Sequence, residues 1–592
     1  MNPTPPTAEE RRRHDKRNLT LLFAGLMVTM LLASLNQTVL SSALPTIVGE
    51  LNGVEHMAWI ITAFILASTV MMPVYGKLGD LFGRKPLLIF AISVFMAGSV
   101  VGALAGDMPT LIVARVIQGL GGGGLMILSQ AIIADVVPAR DRGKYMGIMG
   151  GVFAFSSVAG PLIGGGLTEG PGWRWTFWIN VPLAVLAILA AVFLLHIPKR
   201  RTGPRPKIDY AGMMLIAVAT TALVLVGTWG GATYAWGSPV ILGLAATAVA
   251  AAVVFVVVES RVPEPVMPLM LFRDRNFNLT TASALLTGIA MFGAIGYMPT
   301  YLQMVTGYGA TESGLLMIPM MGSLLVASVV VGRQVSKTGR YKAVMIAGTA
   351  VVAVALVLLS TIHADSPVYL ICIYLGVMGL GLGSSLQMLT LVAQNSFPIT
   401  FVGTATAGQN YFRQVGATLG SAVVGTLFAS RLKDLLAERL PAAGAAGNGN
   451  SFTPALVSSL PDPIRNVVVE SYNEALVPLF LWMVPLAVLS AVALLFVVEK
   501  PLATKIEREL PAESLAEGAL SPSDPAHGTP AHGRPALGTP TQGTPADWDA
   551  AADADAGADA DADPVGDTRV GAAAREEVAA GCGDGHGRRS PR

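Results

Sequence analysis

The sequence predicts an all-α integral membrane protein: two six-helix halves plus an inserted helix pair, about 14 transmembrane helices at roughly 20 residues per span. Three observations carry this. Apolar residues make up 53% of the 592 and charged residues only 13%, against about 25% charged in ordinary soluble domains. The charges avoid the long stretches, as they must in lipid. And a tight cationic turn, Gly76-Lys77-Leu78-Gly79-Asp80-Leu81-Phe82-Gly83-Arg84-Lys85, joins two apolar runs and is echoed later, where Gly332, Gly339 and Arg340 repeat the spacing of Gly76, Gly83 and Arg84. Length alone suggests several soluble domains; composition overrides it.

Taken in order, residues 1–18 form a polar N-terminal segment with Arg11, Arg12, Arg13, Lys16 and Arg17. The following apolar stretch is long and has no convincing small-residue cleavage site before the next span, so it reads as an uncleaved first helix. The first half, 19–197, holds spans near 19–43, 57–76, 86–106, 109–134, 142–166 and 174–197. Residues 198–275 hold the inserted pair and its linkers, with spans near 209–229 and 238–259. The second half, 276–500, holds 276–299, 311–332, 342–362, 367–392, 402–430 and 473–498, and a long loop at 431–472 in which Leu435 to Leu440 extend a helix beyond the bilayer. Residues 501–592 are low in complexity, cannot bury a core and read as a disordered, dispensable tail. The rival reading is an acidic partner-binding segment.

The repeat extends beyond the turn. Leu44-Pro45-Thr46 has a counterpart in Met298-Pro299-Thr300; Gly119, Gly121 and Gly123 align with Gly379, Gly381 and Gly383; and Gly143, Gly160 and Gly165 meet Gly403, Gly420 and Gly425. A shared register across several helices implies duplication, and the two helices at 209–259 have no counterpart. Such halves are the rocking units of a transporter.

Charge sets orientation. Arg140, Arg142 and Lys144, the cluster from Lys199 to Lys207, Arg261, Arg273 and Arg275, and Arg333, Lys337, Arg340 and Lys342 fall on one side. The opposite short loops are nearly free of Lys and Arg, with Arg174 the main exception. This predicts a multi-pass protein with both termini in the cytoplasm. A net charge of +1 carries no nucleic-acid signal, because the positive residues sit in loops and the negative ones largely in the tail. Cys372 and Cys582 predict neither a disulfide nor a metal site, and the scattered histidines lack ligand spacing. Gly119 to Gly124 lie inside a helix without the Lys-Ser/Thr ending of a phosphate loop. No cofactor, metal or enzymatic activity is expected.

GKLGDLFGRK, seated between spans and echoed in the second half, resembles the turn between helices two and three of the major facilitator superfamily. LNQTVLSSALPTIV, GWRWTFWINVP and ESRVPEPVMPLMLFRDRNF resemble the first helix, the start of helix six and the segment between helices eight and nine of its fourteen-helix drug:proton antiporter branch. The likeness covers nearly everything from the first to the last helix. It implies a cytoplasmic-membrane exporter of amphiphilic drugs, antibiotics or secondary metabolites, driven by proton antiport and alternating access. The expected partners are a small amphiphilic substrate, protons and membrane lipid, and a monomer is expected. Export of a lipid or an endogenous metabolite is the transport alternative. A nontransporting receptor or scaffold signalling through the tail is the rival from another class.

The resemblance gives Gly76, Asp80, Gly83, Arg84 and Lys85 a gating role. Asp80 would face the positive N-terminal end of the helix beginning near Val402, with Arg84 in the same latch; the alternative is a loop whose charges only fix orientation. Arg115 lies several residues inside helix four in R-V-I-Q-G-L-G, where similar transporters link an arginine to proton transfer, and Gln118 shares its face; the alternative is snorkelling to the interface. In the helix-five antiporter motif, Gly160, Gly164 and Gly165 admit close contacts and Pro161 permits a bend, which ordinary small-residue packing would also explain. Asn36 departs from the family, where an aspartate is common: an amide only hydrogen-bonds, which argues against a helix-one proton carrier and a strong cation preference, and interhelical bonding competes with substrate contact. Arg413 is a second intramembrane cation, either a receiver for an anionic group or an internal latch. Asp135 is the nearest acidic candidate in helix four, or a loop anchor. Tyr297 and Tyr301 line the outer cavity or sit in the interfacial belt.

Overall fold

The computed structural model describes residues 8–51, 56–195, 207–231, 233–440, 457 and 460–504. Among them, 14 helices are long and apolar enough to cross a membrane. The first half comprises α1 (Ala8–Glu50), α2 (Met57–Phe82), α3 (Arg84–Ala103), α4 (Met108–Val136), α5 (Ala139–Glu169), a short α6 (Trp175–Trp178) and α7 (Asn180–Leu194). The inserted pair is α8 (Tyr210–Trp229) and α9 (Pro239–Glu259). The second half comprises α10 (Arg275–Ile295), α11 (Met298–Thr306), α12 (Ala310–Leu315), α13 (Ile318–Thr338), α14 (Lys342–Leu359), α15 (Val368–Asn395), α16 (Val402–Arg439) and α17 (Asp462–Leu495).

Helix ends differ from the sequence expectation where polar helix formers carry a span beyond its apolar part. Residues 8–18 are not a separate segment but continue α1, and α1 also runs on to Glu50. The loop expected at 431–472 is shorter, since α16 reaches Arg439 and α17 begins at Asp462. An Arg439–Glu474 ion pair of 2.7 Å joins these two extensions. The rest of that loop (441–456 and 458–459), residues 1–7, the linker 196–206 and the tail from 505 lie outside the described residues.

The halves meet along two seams, α2 against α16 and α5 against α13. Both depend on glycine. A Cβ on Gly76 would sit 2.4 Å from Ala407 Cβ and 2.9 Å from the Gly403 carbonyl oxygen. A Cβ on Gly332 would sit 2.2 Å from the Gly143 carbonyl oxygen. In the internal repeat Gly76 corresponds to Gly332 and Gly403 to Gly143. The two seams are therefore one contact made twice, with the halves exchanged.

The inserted pair is not peripheral to this arrangement. α8 packs on both α2 and α16, through an edge-on Trp59–Trp229 contact and a 2.8 Å Thr220–Tyr411 hydroxyl bond. It covers one seam from outside. α9 packs on α8, and only 11% of its most apolar stretch is buried, which marks it as the lipid-facing member.

The chain leaving α17 forms a strap over the face that carries the basic loops. Asn276 exchanges two 2.8 Å bonds with the Val498 backbone. Glu499 Oε1 accepts from the Tyr341 and Lys342 N–H groups at 2.7 and 3.1 Å. The Lys500 N–H donates to the Tyr341 hydroxyl at 2.7 Å; burial pushes that phenol above its ordinary range, so it stays neutral. The Ala503 carbonyl accepts from the Arg140 N–H of the first half at 3.0 Å.

Candidate functional site: an interhelical latch and an uncharged cavity

The turn between α2 and α3 ends in a cross-half latch. Gly83 takes φ +93°, a left-handed conformation that suits glycine and reverses the chain between the two helices. Asp80, on the last turn of α2, is brought to the N-terminus of α16. Its Oδ2 accepts from the Thr404 N–H at 2.7 Å and the Thr404 hydroxyl at 2.8 Å; its Oδ1 accepts from the Gly403 N–H at 3.2 Å. Those amides have no partner within their own helix, and the helix end is electropositive. Arg84 Nη2 donates to Asp80 Oδ1 at 2.8 Å and to the Ile399 carbonyl at 3.3 Å, while Nη1 pairs with Asp135 at 2.8 Å. The Asp80, Arg84 and Asp135 side chains are each at most 5% exposed. Asp135 thus anchors Arg84 from α4. Lys85 is directed elsewhere: its ammonium meets the Val192 carbonyl within the first half. Lys77 pairs at 2.6 Å with Glu264 on the connection after α9.

The second seam carries the counterpart. The repeat places Ser336 at the Asp80 position and Lys144 at the Thr404 position. The Lys144 N–H donates to Ser336 Oγ at 3.2 Å. Arg140 adds bonds to the Ser336 and Lys337 carbonyls at 3.2 and 2.9 Å. One seam is thus capped by a carboxylate and the other by a hydroxyl.

Arg115 does not snorkel; it is 2% exposed. Its Nε donates to the Ile60 carbonyl at 2.9 Å, Nη1 donates to Gln118 Oε1 at 2.7 Å, and the guanidinium lies 4.4 Å from the Phe64 ring centre. Gln118 Nε2 in turn donates to Asn36 Oδ1 at 3.2 Å and Ser99 Oγ at 2.8 Å. Asn180 Nδ2 also donates to Asn36 Oδ1, at 3.2 Å. Side chains from α4 and α7 therefore converge on Asn36 of α1, with Gln118 between Asn36 and Arg115 and also bonded to Ser99 of α3.

Arg413 belongs to a different network. It donates to Asn410 Oδ1 at 2.8 Å, and Asn410 Nδ2 donates across the halves to Gln130 Oε1 at 3.1 Å. This is the internal-latch geometry. Neither Arg115 nor Arg413 makes an ion pair among the described residues.

In α5, the helix runs unbroken through Pro161. Gly160 lies against Thr38, and Gly164 against Val39 and Ser42, all on α1. Gly165 departs from the close-contact expectation, since a Cβ there would meet nothing within 4 Å. Successive helical residues point about 100° apart, so 164 and 165 cannot face the same neighbour.

A cavity of about 630 Å³ opens between the halves on the far side of the latch. Its walls include Ile61 and Ile65 of α2, Thr228 of α8, Phe292, Tyr297 and Met304 of the second half, Gln414, Thr418 and Ser421 of α16, and Tyr472 of α17. Among the described residues that line it, none carries a charge. Asn36, Arg115, Gln118 and Arg413 are not on these walls: the first three bond to one another within the first half, and Arg413 bonds to Asn410. Tyr297 lines the cavity and donates to the Ser421 carbonyl at 3.0 Å. Tyr301 neither lines it nor lies in an interfacial belt; it is fully buried and donates to Asn473 Oδ1 at 2.7 Å. A larger basin of about 900 Å³ beside α11 and α17 has a polar rim with Asp365, Arg465, Glu470 and Glu474, and lies outside the space between the halves.

A family model described as Major Facilitator Superfamily matches residues 26–421. The chain belongs to the major facilitator superfamily. An uncharacterised MFS-type transporter of Mycobacterium tuberculosis is 40% identical over 514 residues, 86% of this chain and 74% of its own length. The multidrug transporter protein MdtP of Bacillus subtilis is 36% identical over 421 residues, covering 71% of this chain and 77% of its own. The efflux pump dotC of Dothistroma septosporum is 32% identical over 498 residues, covering 83% and 85%. Among solved structures, the human organic anion transporter MFSD10 aligns with TM-score 0.55 at 14% identity over 83% of this chain and all of the other. The proton:xylose symporter XylE aligns with TM-score 0.52 at 17% identity over 83% and 99%. Both share the fold. The protein is thus a multi-pass membrane transporter of this superfamily, related to multidrug transporters and efflux pumps.

Several contributors were not singled out by sequence. Ser336 was reachable by carrying the repeat on from Gly332. Gln130 and Asn410 were visible as amides inside apolar spans. The pairing of Glu264 with Lys77 had no local signal, because it depends on where the inserted pair docks.

Proposed function

We propose that the protein exports neutral or weakly charged amphiphilic compounds, such as drugs, antibiotics or secondary metabolites, by proton antiport. It acts as a monomer in the plasma membrane, with both termini in the cytoplasm. The observation that carries this reading is the cavity of about 630 Å³ between the halves, lined by apolar, aromatic and hydroxyl groups without a charge. That size and character suit a drug-sized ligand, since such pockets run to about 300–1,000 Å³ and are mostly apolar with a few polar anchors. The relatives named as multidrug transporters and efflux pumps support the direction of transport. The basic loops support the orientation. Coupling to protons rests on the resemblance to drug:proton antiporters, since Arg115, Gln118 and Asn36 form a hydrogen-bonded chain without an acid.

The test is counterflow in proteoliposomes with neutral, cationic and anionic amphiphiles, under an imposed pH gradient. Neutral compounds should exchange fastest, and the gradient should drive net flux. Placing a carboxylate in the cavity with Thr418→Asp should shift preference toward cations. Failure of every compound to exchange would favour the receptor or scaffold reading. A second transport reading has its own observation: α8 forms a wall of the cavity and α9 faces lipid. This reading sets a lateral entry for a lipid or an endogenous metabolite beside the inserted pair, and lipid substrates belong in the same panel.

A further inference from the structure

The inserted pair brings two carboxyl groups together at its base. Asp209 caps the start of α8, and its Oδ1 accepts from the Gly212 N–H at 2.8 Å. Glu259 is the last residue of α9, and its carboxylate accepts from the Val266 and Met267 N–H groups at 3.1 and 3.3 Å. The antiparallel packing of α8 on α9 puts both over Gly212. A Cβ built there would lie 2.2 Å from Asp209 Oδ2 and 2.9 Å from Glu259 Oε1, so the two oxygens crowd one point. Asp209 is 5% exposed and Glu259 is 3% exposed. Asp209 Oδ2 is buried without a hydrogen-bond partner. Neither group makes an ion pair among the described residues. The charged groups that act on Glu259 are Asp209 from α8 and Lys77 from α2, and the Lys77 ammonium is already engaged at 2.6 Å by Glu264.

Two adjacent buried carboxylates cannot both hold a charge cheaply, and such pairs retain a proton. A single acid proton here would remove one charge and give Asp209 Oδ2 its missing partner. We propose that Asp209 and Glu259 bind one proton between them, which makes the base of the inserted helix pair a titratable site. The site goes beyond the export reading and needs no substrate to be seen, so either can fail alone.

The experiment is infrared difference spectroscopy of the full-length chain in lipid, stepped in pH. Wild type, Asp209→Asn and Glu259→Gln are compared after folding is checked by size-exclusion and thermal unfolding. Wild type should show a protonated carboxylic acid C=O band at neutral pH that disappears at high pH. Both variants should lack that band, because each amide supplies the N–H that replaces the shared proton. A band unchanged in both variants would place the acid elsewhere and overturn the proposal. So would a band lost in only one variant, which would assign the proton to a single residue. Should one variant not fold, the wild-type spectrum still decides: no protonated acid at neutral pH overturns the proposal.

Discussion

The Asp80 carboxylate on α2 accepts both the backbone N–H and the hydroxyl of Thr404 on α16, at 2.7 and 2.8 Å. With the Gly403 N–H and Arg84 it has four donors among the described residues. A charge whose only task was to orient a loop would need no such shell.

Asp80→Asn is expected to keep insertion and abundance while impairing exchange. Hydrogen bonds to a charged acceptor contribute about 1.5–3 kcal/mol each. The closed population at this face should fall by about tenfold or more. Exchange in proteoliposomes, with surface abundance as control, checks this. Normal exchange removes the latch; failure to insert assigns Asp80 to topology.

Ser336→Asp should act in the opposite direction. It sets a carboxylate on the Lys144 N–H, where a hydroxyl now accepts at 3.2 Å. The second seam would gain the charged cap of the first, and cycling should slow while the fold is kept. Labelling of a cysteine at the basic face should decrease. Increased labelling would show that the two seams are not equivalent.

Asn36→Asp should remain folded, because Asn36 Oδ1 already accepts from Gln118 and Asn180. The new charge would be linked to Arg115 through Gln118 rather than by direct contact. Transport should change its pH dependence and shift toward cationic substrates. Arg115→Ala should abolish coupled export while part of the binding survives. Simultaneous measurement of binding, proton flux and substrate flux decides. Full coupling in Arg115→Ala would eliminate the relay.

Truncation after Glu509 should leave transport intact, since among the described residues the last strap contact is made by Ala503. Truncation after Val497 removes Glu499, Lys500 and Ala503 and should lower thermal stability and exchange together. Equal behaviour of the two truncations would show that the strap is dispensable.

The span count and the duplication were legible because lipid imposes length and apolarity on every spanning segment. The placement of Asp80 against the helix starting at Val402 followed from the family resemblance, and the structure gives it four donors. Arg115 and Gln118 were legible as intramembrane polar groups. The meeting of Gln118 and Asn180 at Asn36 was not, because it depends on how α1, α4 and α7 rotate about their axes. Gly165 was misread for a related reason: a glycine-rich string does not show which members face a neighbour. The Asp209–Glu259 pair was not singled out, although antiparallel packing of α8 on α9 brings the start of one helix beside the end of the other.

Lys77 and Asp80 lie three residues apart on α2, one tied to the connection after α9 and the other to α16. Parting α2 from α16 at this face therefore breaks the Asp80 attachment, and moving α2 against the inserted pair breaks the Lys77 attachment on the same turn of helix. Each 1.4 kcal/mol held in those attachments multiplies the waiting time in the closed arrangement by about ten, if the transition state has lost them. On the gating reading, the residence time at this face, and through it the turnover number, is adjustable by residues that never meet the cargo.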